Sequence, residues 1–245
     1  IIPSTTGPTN ATSIDFTVTF SEDVVNFNDA ADVTITHTGT ANTGVTITGG
    51  ASVYTASVTG ITGTGSFTLA ANTASDIQDT TANALASSVT SASVSADNSA
   101  PTISIGAPSA LSTTGASVSY VVTYSGATIV NLTAGDITLN TSGDATGTVS
   151  VANGTTSTPT VTINSPTGNG TLGITIGAGT ASDNAGNTAG ASSPSTPFDV
   201  FTSTAQGNYG DAVFDYVNAI GGAGNEYAHG VVTDASGNVY VAGSL

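Results

Sequence analysis

The chain has 245 residues and contains neither Lys nor Arg. Its 16 Asp and Glu residues face only His37 and His229, for a formal net charge of −16. No carboxylate can therefore pair with a basic side chain of the ordinary kind. Each must be hydrated, cap a turn through backbone N–H groups, or meet a cation from outside. The same absence removes the groups that grip nucleic-acid phosphates, anionic lipid headgroups and acidic ligands. A nucleic-acid partner is thereby excluded, while the charge favours solubility.

Cys, Met and Trp are also missing. Without Cys there is no disulfide, and thiols give no reading of the redox compartment. Without Lys there is no Lys–Asn isopeptide cross-link, and without Trp no indole platform for a sugar. No run of about 18 apolar residues offers a helical membrane span. The opening Ile-Ile-Pro-Ser-Thr-Thr-Gly has neither the basic n-region nor the apolar core of a signal peptide. The expectation is a mature segment whose leader has been removed, or a piece of a larger chain.

Thr, Ser, Gly, Ala, Asn and Val dominate the composition. Thr and Val favour pleated strands, and Gly, Asn and Ser favour the turns between them. Ser-Ile-Asp-Phe-Thr-Val-Thr-Phe places Ile14, Phe16, Val18 and Phe20 on one face and polar residues on the other. Ser-Val-Ser-Tyr-Val-Val-Thr-Tyr, at 117–124, repeats the alternation. This is the period of a half-buried strand. Turn signals every 8–12 residues point to a sandwich or barrel. Nothing sustains a helical period; residues 28–33 and 131–137 allow one helical turn at most.

An internal repeat organises the chain. Residues 11–39 run parallel to 115–143, with Phe16 and Phe20 matching Tyr120 and Tyr124, and Asp32-Val-Thr-Ile matching Asp136-Ile-Thr-Leu. Residues 60–86 match 165–191, with Thr-Ala-Ser-Asp76 set against Thr-Ala-Ser-Asp183. The offset is thus 104 residues early and 107 late. The join falls near 95–109, where Ala100-Pro101 calls for extended backbone. The expected organisation is all-β, with sandwiches over 1–98 and 99–200 and a different segment over 201–245.

The stretches Asp-Phe-Thr-Val-Thr-Phe-Ser-Glu-Asp-Val, Gly-Asp-Ile-Thr-Leu-Asn-Thr-Ser-Gly and Gly-Thr-Ala-Ser-Asp-Asn-Ala-Gly-Asn-Thr-Ala-Gly resemble the bacterial Ig-like repeats of large surface proteins and adhesins. The resemblance covers about 200 residues. It implies Ig-like β-sandwiches, export to the cell surface, and a spacer or adhesive role. The final segment, Gly-Gly-Ala-Gly-Asn-Glu-Tyr through Val-Tyr-Val-Ala-Gly, resembles one blade of a bacterial seven-bladed β-propeller. One blade cannot close a ring, so this resemblance implies further blades, or pairing with another domain or another copy.

The candidate chemistry is sparse. Asp76, Asp79 and Asp97 are the candidate calcium ligands, hard oxygens on strand-end loops without an internal cation to compete. Asp183, Asn184, Asn187 and Asn98 belong to the same pattern. The bland alternative is turn capping. None has EF-hand spacing. Asp234-Ala-Ser-Gly-Asn reads as hairpin chemistry with Gly237 at positive φ. Gly168-Asn-Gly-Thr-Leu-Gly fits a dinucleotide fingerprint by letter, but a hairpin is expected to follow it rather than a helix. His37 and His229 lie in no catalytic signature, and the abundant hydroxyls lack a base. No catalytic residue and no certain cofactor emerge. Asn-x-Ser/Thr triplets occur at Asn10, Asn131, Asn140, Asn153 and Asn169.

The function expected is that of a non-enzymatic extracellular structural protein. It would be a stalk or self-assembling filament subunit, joined by strand pairing at Ile-Ile-Pro-Ser-Thr-Thr-Gly or in the 201–245 segment. The alternatives are an adhesin module binding a glycan or protein through its loops, and a fragment of a larger propeller protein.

Overall fold

The computed structural model describes residues 1–201 and, beyond them, the strands Tyr227–Thr233 and Val239–Ser244. The chain divides into two compact units, Ile1–Ser203 and Thr204–Leu245. The described structure is nearly all β, in several mostly antiparallel sheets.

The first unit holds two separate cores. In its first half, β1 (Ile2–Pro3), β2 (Ser13–Thr19), β3 (Val24–Val25), β4 (Val33–Ala41), β5 (Gly44–Gly50), β6 (Val53–Thr59), β7 (Thr62–Ala71), β8 (Gln78–Asp79) and β9 (Val94–Ala96) follow one another. One sheet has the order β1-β2-β6-β5 and the other β4-β7-β9, with β3 and β8 as a small pair. The alternation read in the sequence is what makes this a sandwich. Ile14, Phe16 and Val18 of β2, with Tyr54, Ala56 and Val58 of β6, face Val33, Phe67, Leu69 and Val94 of the other sheet, and all are buried. Phe16 and Phe67 meet edge to face across the core, 6.0 Å between centroids. Each fully buried ring contributes about 1.5–3 kcal/mol.

The second half repeats the plan with β10 (Thr102–Pro108), β11 (Ser112–Thr113), β12 (Val118–Ser125), β13 (Ile129–Val130), β14 (Ile137–Thr141), β15 (Thr146–Ala152), β16 (Thr160–Thr167), β17 (Gly170–Ile176), β18 (Ala181–Ser182) and β19 (Phe198–Val200). Its sheets are β10-β12-β16-β15 and β11-β19-β17-β14, with β13 and β18 paired separately. Tyr120, Val122, Val161, Ile163, Leu172, Ile174 and Phe198 fill the second core. The isolated parallel bridge Thr9↔Ala96 of the first half becomes the parallel β11·β19 pair, Thr113↔Val200, in the second.

Both halves carry a single 3-10 turn at the expected place, Ala30–Asp32 and Ala134–Asp136. These turns show how acids are satisfied without cations. The Asp32 carboxylate, itself buried, accepts from the N–H groups of Asn28 and Asp29 at 2.8 and 3.0 Å. Asp136 accepts from the Thr133 N–H and hydroxyl at 2.8 and 2.7 Å.

One local expectation is corrected. Gly168-Asn-Gly does not close a hairpin, because β16 and β17 lie in different sheets. The turn carries the chain across the sandwich. Gly168 and Gly170 stand at φ +88° and +147°, and a Cβ at either would sit within about 2.1 Å of a backbone oxygen.

In the second unit, β20 (Tyr227–Thr233) and β21 (Val239–Ser244) pair antiparallel, with the register shifting between Ala228 and Gly230. Their connection, Asp234–Asn238, lies outside the described residues, as does the expected conformation of Gly237.

Candidate functional site: the strand-end Asp loops and the joint between the sandwiches

Each sandwich carries one loop built on an Asp and an Asn four residues later. In Asp79-Thr-Thr-Ala-Asn83, Asp79 Oδ1 accepts from the N–H groups of Thr81 and Asn83, both at 2.8 Å. The other oxygen, Oδ2, accepts from Asn83 Nδ2 at 2.7 Å, and the Thr81 hydroxyl lies 3.0 Å from both oxygens. In Asp183-Asn-Ala-Gly-Asn187, Oδ1 accepts from the N–H groups of Ala185 and Asn187, both at 2.9 Å, and Oδ2 from Asn187 Nδ2 at 2.8 Å. The backbone closes each loop as well, through Asp79 N–H to Asn83 O at 2.9 Å and Asp183 N–H to Asn187 O at 3.1 Å. The fourth position needs positive φ in both, which Ala82 adopts at +70° and Gly186 at +92°.

These donors favour the ionised acid. The Asn83 side chain, joined by the Asn83 and Thr81 N–H groups, holds the Asp79 carboxyl down at about 2. Hydrogen bonds led by the Asn187 side chain lower Asp183 in the same direction.

The loops correct the repeat alignment. Val25 pairs with Gln78 and Ile129 with Ser182, so the offset here is 104, and Asp79 rather than Asp76 is the counterpart of Asp183. The shared letters Thr-Ala-Ser-Asp misled the alignment. The signal that finds the true match is Asp-x-x-Ala/Gly-Asn, present in both copies. Asp76 instead offers its backbone oxygen to Asn26 Nδ2 at 3.1 Å.

The loops differ in what they touch. The second docks on the end of the first sandwich: Asn187 Nδ2 donates to Asp97 O at 2.7 Å, and Asn10 N–H donates to Ala185 O at 3.2 Å. Asp97 belongs to the connection between β9 and β10, which is tied to the first sandwich. Its Oδ1 accepts from the Thr64 hydroxyl at 3.1 Å and Ser99 N–H at 3.0 Å, and Asn98 Nδ2 donates to Gly63 O at 2.7 Å. The joint is therefore held by hydrogen bonds on both sides of the connection. Asn83, its counterpart in the first loop, turns its amide to Thr81 Oγ1 at 3.0 Å instead.

The three candidate calcium ligands do not come together. Asp97 is bonded by Thr64 near the start of β7, whereas Asp79 lies in β8 opposite Val24, beyond the other end of that strand. No group of three Asp, Glu, His or Cys side chains placed to hold a metal occurs among the described residues. The carboxylates of Asp79 and Asp97 serve as acceptors for their own turns.

His37 lies on β4 with Nδ1 2.9 Å from Thr40 Oγ1 and Nε2 2.9 Å from Asn42 Oδ1, its ring tilted against Phe67. Its ring nitrogens face a hydroxyl and an amide. His229 falls within β20.

No family model matches the chain, and no curated protein matches it. Among solved structures, the chain is similar to a structure of InvD from Yersinia pseudotuberculosis at 18% identity and a TM-score of 0.29, over 84% of this chain. The match spans 59% of that chain.

Proposed function

We propose that this chain is a non-enzymatic structural protein of a bacterial cell exterior, a stalk or filament subunit built from tandem Ig-like sandwiches. One observation carries the reading: two copies of one design meet end to end through a fixed hydrogen-bonded joint, Asn187 to Asp97 and Asn10 to Ala185. A short connection anchored on both sides transmits tension and limits bending, which a stalk requires and a free-standing binding module does not. The charge chemistry supports it. Among the described residues, Asp32, Asp79, Asp97, Asp136 and Asp183 accept hydrogen bonds from backbone N–H groups, hydroxyls or amides, with no basic side chain needed.

Pulling single molecules from both ends tests the reading. Two separate unfolding events are expected, each releasing roughly 330 Å of contour for about 95 residues. One merged event at low force would sink it, because a stalk must hold each sandwich independently under load.

A further inference from the structure

The lateral edges of the two sandwiches are finished differently. An edge strand offers unpaired N–H and C=O groups, and proteins blunt such edges with charge, Pro, bulges or a covering segment. β15 has Asp144 just ahead of it, a register shift between Thr146 and Thr148, and Leu132 N–H bonded to Gly154 O just past its end. β14 begins directly after Asp136. β4 has a register shift between Thr38 and Thr40, and β10 one between Ile105 and Pro108. β5 carries none of these devices. Gly44–Gly50, Gly-Val-Thr-Ile-Thr-Gly-Gly, runs opposite Val53–Thr59 without a shift. Asn28 N–H, at the position of Leu132, turns to Asp32 Oδ2 at 2.8 Å instead. The 3-10 turn Ala30–Asp32 comes near β5 without a hydrogen bond to it. Among the described residues, no strand pairs with β5 on its outer side.

The direction of its backbone groups follows from the neighbouring ladder. Phe20 N–H bonds to Ser52 O at 2.9 Å, in register with the β2·β6 pairing. Bonded and non-bonded pairs alternate along antiparallel strands. Tyr54 and Ala56 therefore turn their main chain toward β2, and Thr55 and Ser57 turn theirs toward β5, where they face Thr48 and Thr46. Val45 and Ile47 are left pointing N–H and C=O away from the sheet. Their side chains lie on the core side and are only half-buried, while Thr46 and Thr48 are exposed on the other face. Gly49 stands at φ +126°, which ends the regular edge. No Asp or Glu occurs between Asp32 and Asp76, in a chain of net charge −16. Across the sheet from Thr46 come Ser57 and then Asp15.

We propose that β5 is a homotypic pairing edge, to which a second copy of this chain adds its own β5, antiparallel, about a two-fold axis at Thr46. Val45 and Ile47 of one copy then exchange main-chain bonds with Ile47 and Val45 of the second copy. Thr46 faces Thr46 of the second copy on the outer side, as a close non-bonded pair. On the core side Val45 lies beside Ile47 of the second copy, and each covers the flank the other leaves exposed. Charge singles out this edge for a second copy. In the pair, the two Asp15 carboxylates stand five strand spacings apart, about 24 Å, well beyond the Debye length at physiological salt. The repulsion that remains, from the turns bearing Asp29 and Asp32 and from the net charge, falls as salt rises, so salt strengthens the contact. Such an isologous contact closes at two copies. It joins neighbouring chains side by side, goes beyond the end-to-end reading above and does not depend on it.

The test uses the full chain, whose lack of Cys makes a single introduced thiol diagnostic. In sedimentation velocity the native chain should form dimers that tighten several-fold as NaCl rises to about 0.5 M. Thr46→Glu, at an exposed position, sets two carboxylates opposite each other and should weaken dimerisation about fivefold or more. An equimolar mixture of the Thr46→Glu and Thr46→Lys chains should pair again. Under mild oxidation Thr46→Cys should close a disulfide between copies, because the two Cα atoms come within the reach of roughly 7 Å that the bond requires. Thr55→Cys, on the inner strand β6, should stay reduced. A native chain that is monomeric at every protein and salt concentration overturns the proposal. So does dimerisation that Thr46→Glu leaves unchanged, or cross-linking of Thr55→Cys as fast as of Thr46→Cys. Slow hydrogen exchange at the Val45 and Ile47 amides in the dilute monomer also overturns it, since the edge would then be covered within its own chain. Should Thr46→Glu not fold, the two Cys variants decide. None of these failures touches the pulling experiment, which is performed on single molecules.

Discussion

The two sandwiches solve one problem in two ways, namely how to close the end of a core near the tip of its second long strand. The first uses rings. Phe20, Phe27 and Tyr54 form an edge-to-face cluster with centroids 5.1–5.9 Å apart, and the Tyr54 hydroxyl donates to Val24 O at 2.9 Å. The second uses hydrogen-bonded phenols. Tyr124 donates to Thr180 Oγ1 at 2.8 Å, and Tyr120 donates to Thr196 O at 2.9 Å. Phe16 and Phe20 can be exchanged for Tyr at the matching positions only where an acceptor waits for the hydroxyl, because an unmet buried O–H costs about 1–3 kcal/mol. One β plan thus tolerates different packing, provided every buried polar atom finds a partner; no buried side-chain N or O lacks one among the described residues.

The strongest way to break the comparison is to empty each core in turn. Phe16→Ala and Tyr120→Ala should each cost about 3–5 kcal/mol, since both side chains are fully buried. The cores are separate, so calorimetry should show each substitution lowering one transition and leaving the other. A joint collapse would show that the halves fold as one.

Asn187→Ala and Asn83→Ala compare the two loops directly. Both lose the amide that holds the loop Asp, but only Asn187→Ala also loses the bond to Asp97. Asn187→Ala should cost about 1–2 kcal/mol and broaden the inter-sandwich angle in small-angle scattering. Asn83→Ala should leave scattering of the monomer unchanged.

Alkali should separate the halves by a smaller margin. Burial pushes the phenols of Tyr120 and Tyr124 above their ordinary value of 10.0. A group whose folded pKa is raised contributes stability that is complete below its unfolded value and lost as pH rises through the folded one. Above pH 10 the second sandwich should therefore weaken, and Tyr120→Phe with Tyr124→Phe should remove that dependence. Tyrosinate absorbance followed alongside circular dichroism reads both.

Acid gives the smallest effect. The Asp79 carboxyl titrates at about 2 in the fold against an ordinary 3.8. Its contribution is complete above pH 3.8 and fades as pH falls toward 2. Carbon-detected NMR of the Asp79 carboxyl should show the low midpoint, and Asn83→Ala should return it toward 3.8.

Much of this was legible along the chain. Period-two alternation marked Ile14, Phe16, Val18, Val118, Tyr120 and Val122 as inward, and all six are buried. The helical turns at 28–33 and 131–137 also stood where they were read. The candidate site was legible only in kind. Capping of Asp79 and Asp97 by their own turns was foreseeable from residue type, but the equivalence of Asp79 with Asp183 was not. A repeated tetrapeptide is a stronger textual match than an Asp and Asn spaced by four, although only the second has structural meaning. The crossing at Gly168–Gly170 was misread because a turn has the same local chemistry whether it joins neighbours in one sheet or passes to the facing one.

The amino-acid sequence alone determined that this protein is all-β and that its carboxylates cannot be met by Lys or Arg of the same chain. Side-chain alternation and the lack of Lys and Arg are facts of the sequence itself. Tertiary structure alone decided that one Asp loop is used in a joint while the amide of its twin, Asn83, bonds within its own loop. Those outcomes depend on which surface another sandwich presents, and strand pairing over a hundred residues sets that, with no trace in the letters of the loops themselves.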